Sequence, residues 1–323
     1  MFKRPGGADQ LRRSAGRIQY REGGGNDMYK RILVPLDGSP MGDRVLPYVM
    51  NLGKKFDAKV ELFRVFDPEP EFFYPEPFEF QDRHEATAHF REEIMTAMGT
   101  AKTNLESAGV AATAVLHGPE KAETDGKKVA HIFGTAAEHI VLESEKVEDT
   151  LIVISTHGRS GAGRWVMGSV TDKVLHAVKT PLMIIRAEGN DATLDGTMGH
   201  IIVPLDGSAL AETILPHAVA LAKGLDAKVC LVRAVSDDNA DDDERAQLDR
   251  LAAGIRAEGV ASVEGVLLHG DPATAIVDLS HEFPDALVAM TTHGRSGMGR
   301  WLMGSVADRV VRHSAGPVMV LRA

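Results

Sequence analysis

One cysteine, Cys230, and two tryptophans occur in 323 residues. A lone cysteine excludes an intramolecular disulfide and a cysteine-rich metal centre. Its neighbours, Lys228-Val229-Cys230-Leu231-Val232, have the pattern of a buried strand, so a structural thiol is expected over a reactive one. Long apolar runs are also missing. None approaches the roughly 20 residues that cross a bilayer, so no membrane partner is expected. Basic residues are outnumbered, 36 Lys and Arg against 46 Asp and Glu, for a net charge of −10. That balance argues against nucleic acid or an anionic membrane surface as a partner, although a local basic patch is compatible with it. Residues 1–27 are rich in Gly and Arg, with no hydrophobic segment behind the charges, so they do not read as a secretory signal. They read as a disordered tail, with Met28 directly before the first strand, and a cytoplasmic protein is the expectation.

What is present is the bulk of a globular chain, 44% hydrophobic and 25% charged, long enough for two cores. Self-comparison decides the architecture. RILVPLDGS (31–39) returns as HIIVPLDGS (200–208), and FDAKVELFRV (56–65) returns as LDAKVCLVRA (225–234). AVLHG (114–118) returns as VLLHG (266–270). STHGRSGAGRWVMGS (155–169) returns as TTHGRSGMGRWLMGS (291–305), and each half closes on a similar strand, PLMIIR (181–186) or PVMVLR (317–322). The order is the same in both halves, which marks a tandem duplication. The domains are 28–186 and 200–323, joined by a linker over 187–199. The first half carries extra material around the aromatic and Pro-rich stretch 67–80 and around 120–134.

Each half alternates short Val/Ile/Leu runs with amphipathic segments. In the second half the runs are IIVPL, KVCLVRAV, VEGVLL, ALVAM and VMVLR, the pattern of strands buried on both faces. Leu210, Ile214, Leu215, Ala218, Val219 and Ala222 recur at helical spacing between the first two. Strands alternating with helices predict right-handed crossovers and a parallel sheet. The expected fold is α/β, two tandem doubly wound five-stranded parallel-sheet domains.

In such a sheet ligands bind outside the carboxyl ends of the strands, where the strand order reverses. The repeated loop lies at that edge, between a strand and a helix that begins near Ser169 or Ser305. Ser169 with Asp172, and Ser305 with Asp308, resemble a helix cap and its capping box. A helix start presents free N–H groups and the positive end of a dipole, which favour an anion. Gly158, Gly161, Gly163 and Gly168 allow a close backbone approach, and Arg159 and Arg164 add charge-assisted hydrogen bonds, so the loop suits phosphate. The alternative is a purely structural strand-to-helix connection, which leaves unexplained why His, Arg and Trp repeat with the glycines. The loop is no Walker A motif, because the Gly-Lys-Ser/Thr is missing, and no Gly-x-Gly-x-x-Gly follows the first strand. Asp37 and Asp206 end the first strand of each half. Each is either an Asp-Gly turn former or an acceptor for ribose hydroxyls.

The PLDGS start and HGRSGxGRWxMGS together resemble the universal stress protein family in tandem form, over about 29–186 and 200–323. The resemblance implies a Rossmann-like, adenine-nucleotide alpha-hydrolase-like fold and ATP or another adenine nucleotide as ligand, with a Mg ion left open. The family motif G-x2-G-x9-G-[S/T] falls on Gly158 and Gly168-Ser169, and on Gly294 and Gly304-Ser305. Ser155 and Thr291 stand where its first glycine falls. By the same carry-over, the loop's Gly-Ser caps the phosphates, Asp37 and Asp206 lie near the adenosine, and Val65 and Ala234 near the adenine, with Arg159, Val170, Arg295 and Val306 also counted among the nucleotide-binding residues. A stress-response or regulatory module is implied. The halves are expected to pair through their last strands as an internal pseudo-dimer, since apolar sheet edges need covering; a homodimer of the whole chain is left open.

An enzyme is the rival reading. Beyond the two aspartates no general base stands out, no metal-binding carboxylate pair and no Ser–His–Asp arrangement is evident, and slow ATP hydrolysis or phosphotransfer is the most it would support. A protein-interaction scaffold without nucleotide is a third. Trp165 and Trp301 are expected in packing, and His117 and His269 in structural roles. The acidic run 237–244, just after a second-half strand, is expected to weaken phosphate binding there and favour the first half.

Overall fold

The computed structural model describes residues 28–66, 80–118, 135–156, 167–186, 195–235, 242–293 and 303–322, with backbone alone over 80–87. The tail 1–27, the aromatic stretch over 67–79, the insertion 120–134, the linker over 187–194 and most of both Gly-rich loops lie outside these residues.

In the first half the strands are β1 (Arg31–Pro35), β2 (Lys59–Val65), β3 (Ala112–His117), β4 (Thr150–Ser155) and β5 (Leu182–Ile185). The helices are α1 (Leu46–Phe56), α2 (Phe80–Ser107), α3 (Ala136–Ser144) and α4 (Ser169–Ala177). The second half repeats the plan with β6 (His200–Pro204), β7 (Lys228–Val235), β8 (Val263–His269), β9 (Ala286–Thr291) and β10 (Val318–Leu321). Its helices are α5 (Ala209–Glu212), α6 (Leu215–Leu225), α7 (Asp242–Ala257), α8 (Pro272–Glu282) and α9 (Ser305–His313).

Among the described residues, the strands form one 10-stranded sheet in the order β3-β2-β1-β4-β5-β10-β9-β6-β7-β8. Within each half every pairing is parallel. At the seam β5 and β10 run antiparallel, with Val318 opposite Ile184 and Val320 opposite Leu182. Each half is therefore the expected doubly wound α/β unit, with its order reversing between β1 and β4 or between β6 and β9. The central strands are buried on both faces, which their unbroken apolar runs anticipate.

The alternation of side chains along each strand divides the core between two faces. Val60, Leu62, Val229 and Leu231 point to the face covered by α1, α2, α6 and α7. Phe63, Val232, Ile184 and Val320 point to the opposite face, under α3, α4, α8 and α9.

Two local expectations are corrected. The apolar pattern over 210–222 is not one helix. It breaks after α5 and resumes at α6, whose first turn contains Pro216. A proline there has no N–H to donate to the preceding turn but suits a new helix start. Pro47 does the same at α1, behind a short 3-10 turn over Gly42–Val45. The second correction concerns the helix caps of the repeated loop. Gly168 and Gly304, in extended backbone, are the N-caps of α4 and α9, and neither helix has a side-chain cap bond. Ser169 and Ser305 are the first helical residues, so no capping box forms. The amides of Gly168 and Gly304 bond instead to the carbonyls of Thr156 and Thr292, at 2.7 and 2.9 Å, which ties each cap to the preceding strand end.

Candidate functional site

At the carboxyl edge of the second half, a cavity of about 310 Å³ opens between the ends of β6, β7 and β9 and the start of α9. Its size is at the lower end for a small-molecule site. Pro204, Leu205 and Asp206 leave β6 on one side, and Val232 and Ala234 of β7 supply the floor. Pro272 and Ile276 of α8 form the far wall. Thr291, Thr292 and His293 come from the end of β9, and Gly304, Ser305, Val306 and Ala307 are the first turn of α9. An apolar slot thus lies between a carboxylate and a helix N-terminus. α9 spans 9 residues, and its leading N–H groups have no helical carbonyl to reach. With the Ser305 hydroxyl released from capping, that turn can present both backbone and side-chain donors.

The Asp-Gly-Ser turn is built alike in both halves. Oδ1 of Asp206 accepts from the Ser208 amide at 2.9 Å and its hydroxyl at 2.6 Å, and that hydroxyl oxygen accepts from the Ala211 amide. Oδ1 of Asp37 accepts from the Ser39 amide at 3.0 Å and its hydroxyl at 2.7 Å. Both aspartates are therefore turn formers through Oδ1, and Asp206 also borders the cavity. The turn needs glycine next: Gly38 and Gly207 have φ of +75° and +82°. A side chain on Gly38 would also collide with the guanidinium of Arg64.

Arg64 and its counterpart Arg233 are residues the sequence reading passed over. Both are buried, at 5% and 3% exposure, in mid-strand positions on the face away from the cavity. Nε of Arg233 donates to the Leu205 carbonyl, and its Nη1 donates to Gln247 at 3.0 Å, so the guanidinium holds the turn from beneath. An arginine repeated at the same position of two largely apolar strands was the signal available in the sequence. In the first half Asp43 shares this corner. Burial, and then the charge of Asp37, raise its carboxyl above the usual range, while Arg64 opposes them.

Of the expected site residues, Asp206, Ala234, Gly304, Ser305 and Val306 meet around one cavity. Gly168, Ser169 and Val170 take the matching helix start in the first half, with Asp37 and Val65 at the matching strand ends. Gly158, Arg159, Gly294 and Arg295 lie outside the described residues, as do Trp165 and Trp301. Val232, Ile276, Met290 and Pro272 were not anticipated in the site. Val232 was visible in the repeat, but which face it lines depends on the sheet. Among the described residues no group of three or more His, Cys, Asp or Glu could hold a metal ion. None of the described helices is long and apolar enough to cross a membrane. Cys230 is buried, and burial followed by the nearby Glu264 pushes its thiol up to about 12, as a structural thiol requires.

A family model for universal stress proteins matches the chain twice, over residues 28–186 and 198–322. The chain belongs to the universal stress protein family. A universal stress protein of Methanocaldococcus jannaschii is 28% identical over 162 residues, covering 50% of this chain and 85% of the relative. One from Mycobacterium bovis is 27% identical over 233 residues, 67% of this chain and 77% of its own length. Among solved structures, a universal stress protein from Archaeoglobus fulgidus superimposes with a TM-score of 0.69 at 22% identity, covering 91% of this chain and 98% of its own. That likeness speaks for the fold. The two family matches fall one on each repeat.

Proposed function

We propose that this chain binds an adenine nucleotide, with ATP as the first candidate, and acts as a regulatory stress-response module in the cytoplasm. The observation that carries the reading is the second-half cavity, where an apolar slot, the Asp206 carboxylate and the free first turn of α9 converge. A base fits apolar walls, a ribose fits a carboxylate acceptor, and phosphates fit a helix N-terminus. Gly304 suits that approach, since a Cβ there would lie 3.1 Å from the Thr292 carbonyl. In this reading Asp206 takes the ribose hydroxyls, Ala234 borders the base, and Ser305 and Val306 receive the phosphates, with Gly294 and Arg295 supplying the loop. A Mg ion would accompany the phosphates from solvent.

The β5–β10 seam supports reading the chain as an internal pseudo-dimer. Arg186 of one half donates to the Ser314 carbonyl, and Arg322 of the other donates to the His176 carbonyl, in near twofold fashion.

The direct test is to denature the purified full chain and identify any released nucleotide by absorbance and chromatography, then to titrate the emptied protein with ATP with and without Mg. Saturable ATP binding is expected. Failure to bind ATP, ADP or AMP would remove the reading.

A further inference from the structure

We infer that the two nucleotide slots are not equivalent: the second half holds the open site, and Phe63 closes the corresponding slot of the first. The inference rests on the nucleotide reading above and adds which half is used and which residue decides it.

The register makes the comparison direct. Phe63 pairs with Pro35 on β1, as Val232 pairs with Pro204 on β6. Both side chains point to the same face of the sheet, under α3 or α8. Val232 lines the second-half cavity, so the first half carries a phenyl ring at the position of that floor. Both side chains are 1% exposed, so the difference is one of bulk: a phenyl ring in the core with Ala137 and Ile140 of α3 stands where the second half has an isopropyl group. The ring is backed by a second aromatic layer. The rings of Phe63 and His117 are 6.1 Å apart, and His117 lies 4.3 Å from His139. The position of His139 is taken by Ala275 in the second half, and His269, the counterpart of His117, is exposed. The next floor position shows the same trend, Val65 against Ala234.

On the β-strand floor of the cavity, both differences, Phe63 for Val232 and Val65 for Ala234, add bulk to the first half, although Ala211, Pro272 and Thr291 on its rim meet the smaller Gly42, Ala136 and Ser155 there. A close-packed ring cannot be displaced by a ligand without opening the core around it. The Asp-Gly-Ser turn and the glycine-capped helix persist in the first half because they also shape the edge of the sheet. This ordering is the reverse of that expected from the acidic run 237–244. A long-range repulsion, screened at physiological salt, is weaker than the cost of displacing a buried phenylalanine.

The test counts sites. Equilibrium dialysis of the full chain with radiolabelled ATP should give one site per chain. Phe63→Val combined with Val65→Ala rebuilds the second-half floor and should raise the count to two. Val232→Phe should lower it to zero, and since it adds a ring to an existing cavity it should remain folded by circular dichroism. Two sites in the parent, or one site retained by Val232→Phe, would overturn the inference while leaving nucleotide binding in place. No site in the parent would instead remove the nucleotide reading itself. If the double variant fails to fold, Phe63→Leu, which keeps more of the core, takes its place and should show a second, weaker site; a count of one in that variant would also overturn the inference.

Discussion

The halves share strand order, the Asp-Gly-Ser turn, the buried arginine beneath it and a glycine-capped helix, yet they differ in what fills the space between those parts. The first half is bulkier at the floor, with Phe63 and Val65; the second is hollow there, with Val232 and Ala234. The base of the sheet differs as well. Arg31 in β1 is buried against Glu61, Glu143 and Thr150, whereas its counterpart His200 pairs with Asp285 at 2.8 Å. The backbone scaffold of a duplicated domain is thus retained in both copies while side chains at the site diverge. Scaffold positions are constrained by the shared sheet, and a slot needs to remain open in one copy only.

The largest expected effect lies at the seam, where β5 and β10 join the two halves into one sheet. Ile184 and Val320 are 1% and 2% exposed, and both sit in the core under α4 and α9. Lysine at either position places an unpaired charge in apolar surroundings, at about 4 kcal/mol each. A fall in Tm of at least about 10 °C is expected for each of Ile184→Lys and Val320→Lys. Leu142→Lys, at a position 60% exposed, serves as the control and should leave the melt unchanged. Equal melts for all three would show that the β5–β10 pairing contributes little.

Next in size is a difference between equivalent glycines. Gly304→Asp crowds the Thr292 carbonyl and places a negative charge at the start of α9. At least a 100-fold loss of ATP affinity is expected, about 2.7 kcal/mol. Gly168→Asp makes the same change at α4 and should alter ATP affinity by less than about twofold, because the adjoining slot is filled. Calorimetry on both variants decides the matter. Equal losses would mean that the first half shares the work.

Much of this was legible in the sequence, for identifiable reasons. The repeated motifs set the two units, and Val/Ile/Leu runs of strand length marked a parallel sheet because its central strands are buried on both sides. Asp57 and Asp226, in the repeated FDAK and LDAK, end α1 and α6 in left-handed backbone, at φ of 50° and 56°. Less accessible was anything that depends on one residue's offset or on which way a side chain faces. Ser169 reads as a cap in the sequence, but the amide of Gly168 reaches the Thr156 carbonyl, and this moves the helix start by one residue. Phe63 and Val232 could be aligned by eye. That one closes a slot and the other lines a cavity follows only from the side of the sheet on which α3 and α8 pack.

The smallest effect expected is a pH dependence that comes mainly from one histidine at the contact between the halves. α1 and α6 face each other across the seam. Gly224 on α6 makes room for the ring of Phe56, which meets Tyr29 edge-on at 5.4 Å. The Tyr29 hydroxyl lies 2.8 Å from Nδ1 of His217. By the repeat, the matching pair is Met198 and Tyr48, which has no imidazole. Burial pulls His217 down to about 4 and pushes the Tyr29 phenol up, so both are neutral at pH 7 and a neutral ring nitrogen can accept the phenol proton. The folded state therefore resists protonation that the unfolded chain accepts below its ordinary value of about 6.5. Stability is level above that value, declines as pH falls from about 6.5 toward 4, and levels again below it. Between pH 7 and 5 the loss from this one group is about 2 kcal/mol. His117, also lowered by burial, adds a contribution of the same sign from the first half. Urea melts of the parent and of His217→Gln at pH 7 and 5 separate the two. The variant should lose about 2 kcal/mol less than the parent on acidification, even if it is less stable at pH 7. Parallel losses in both proteins would show that the seam does not titrate through His217.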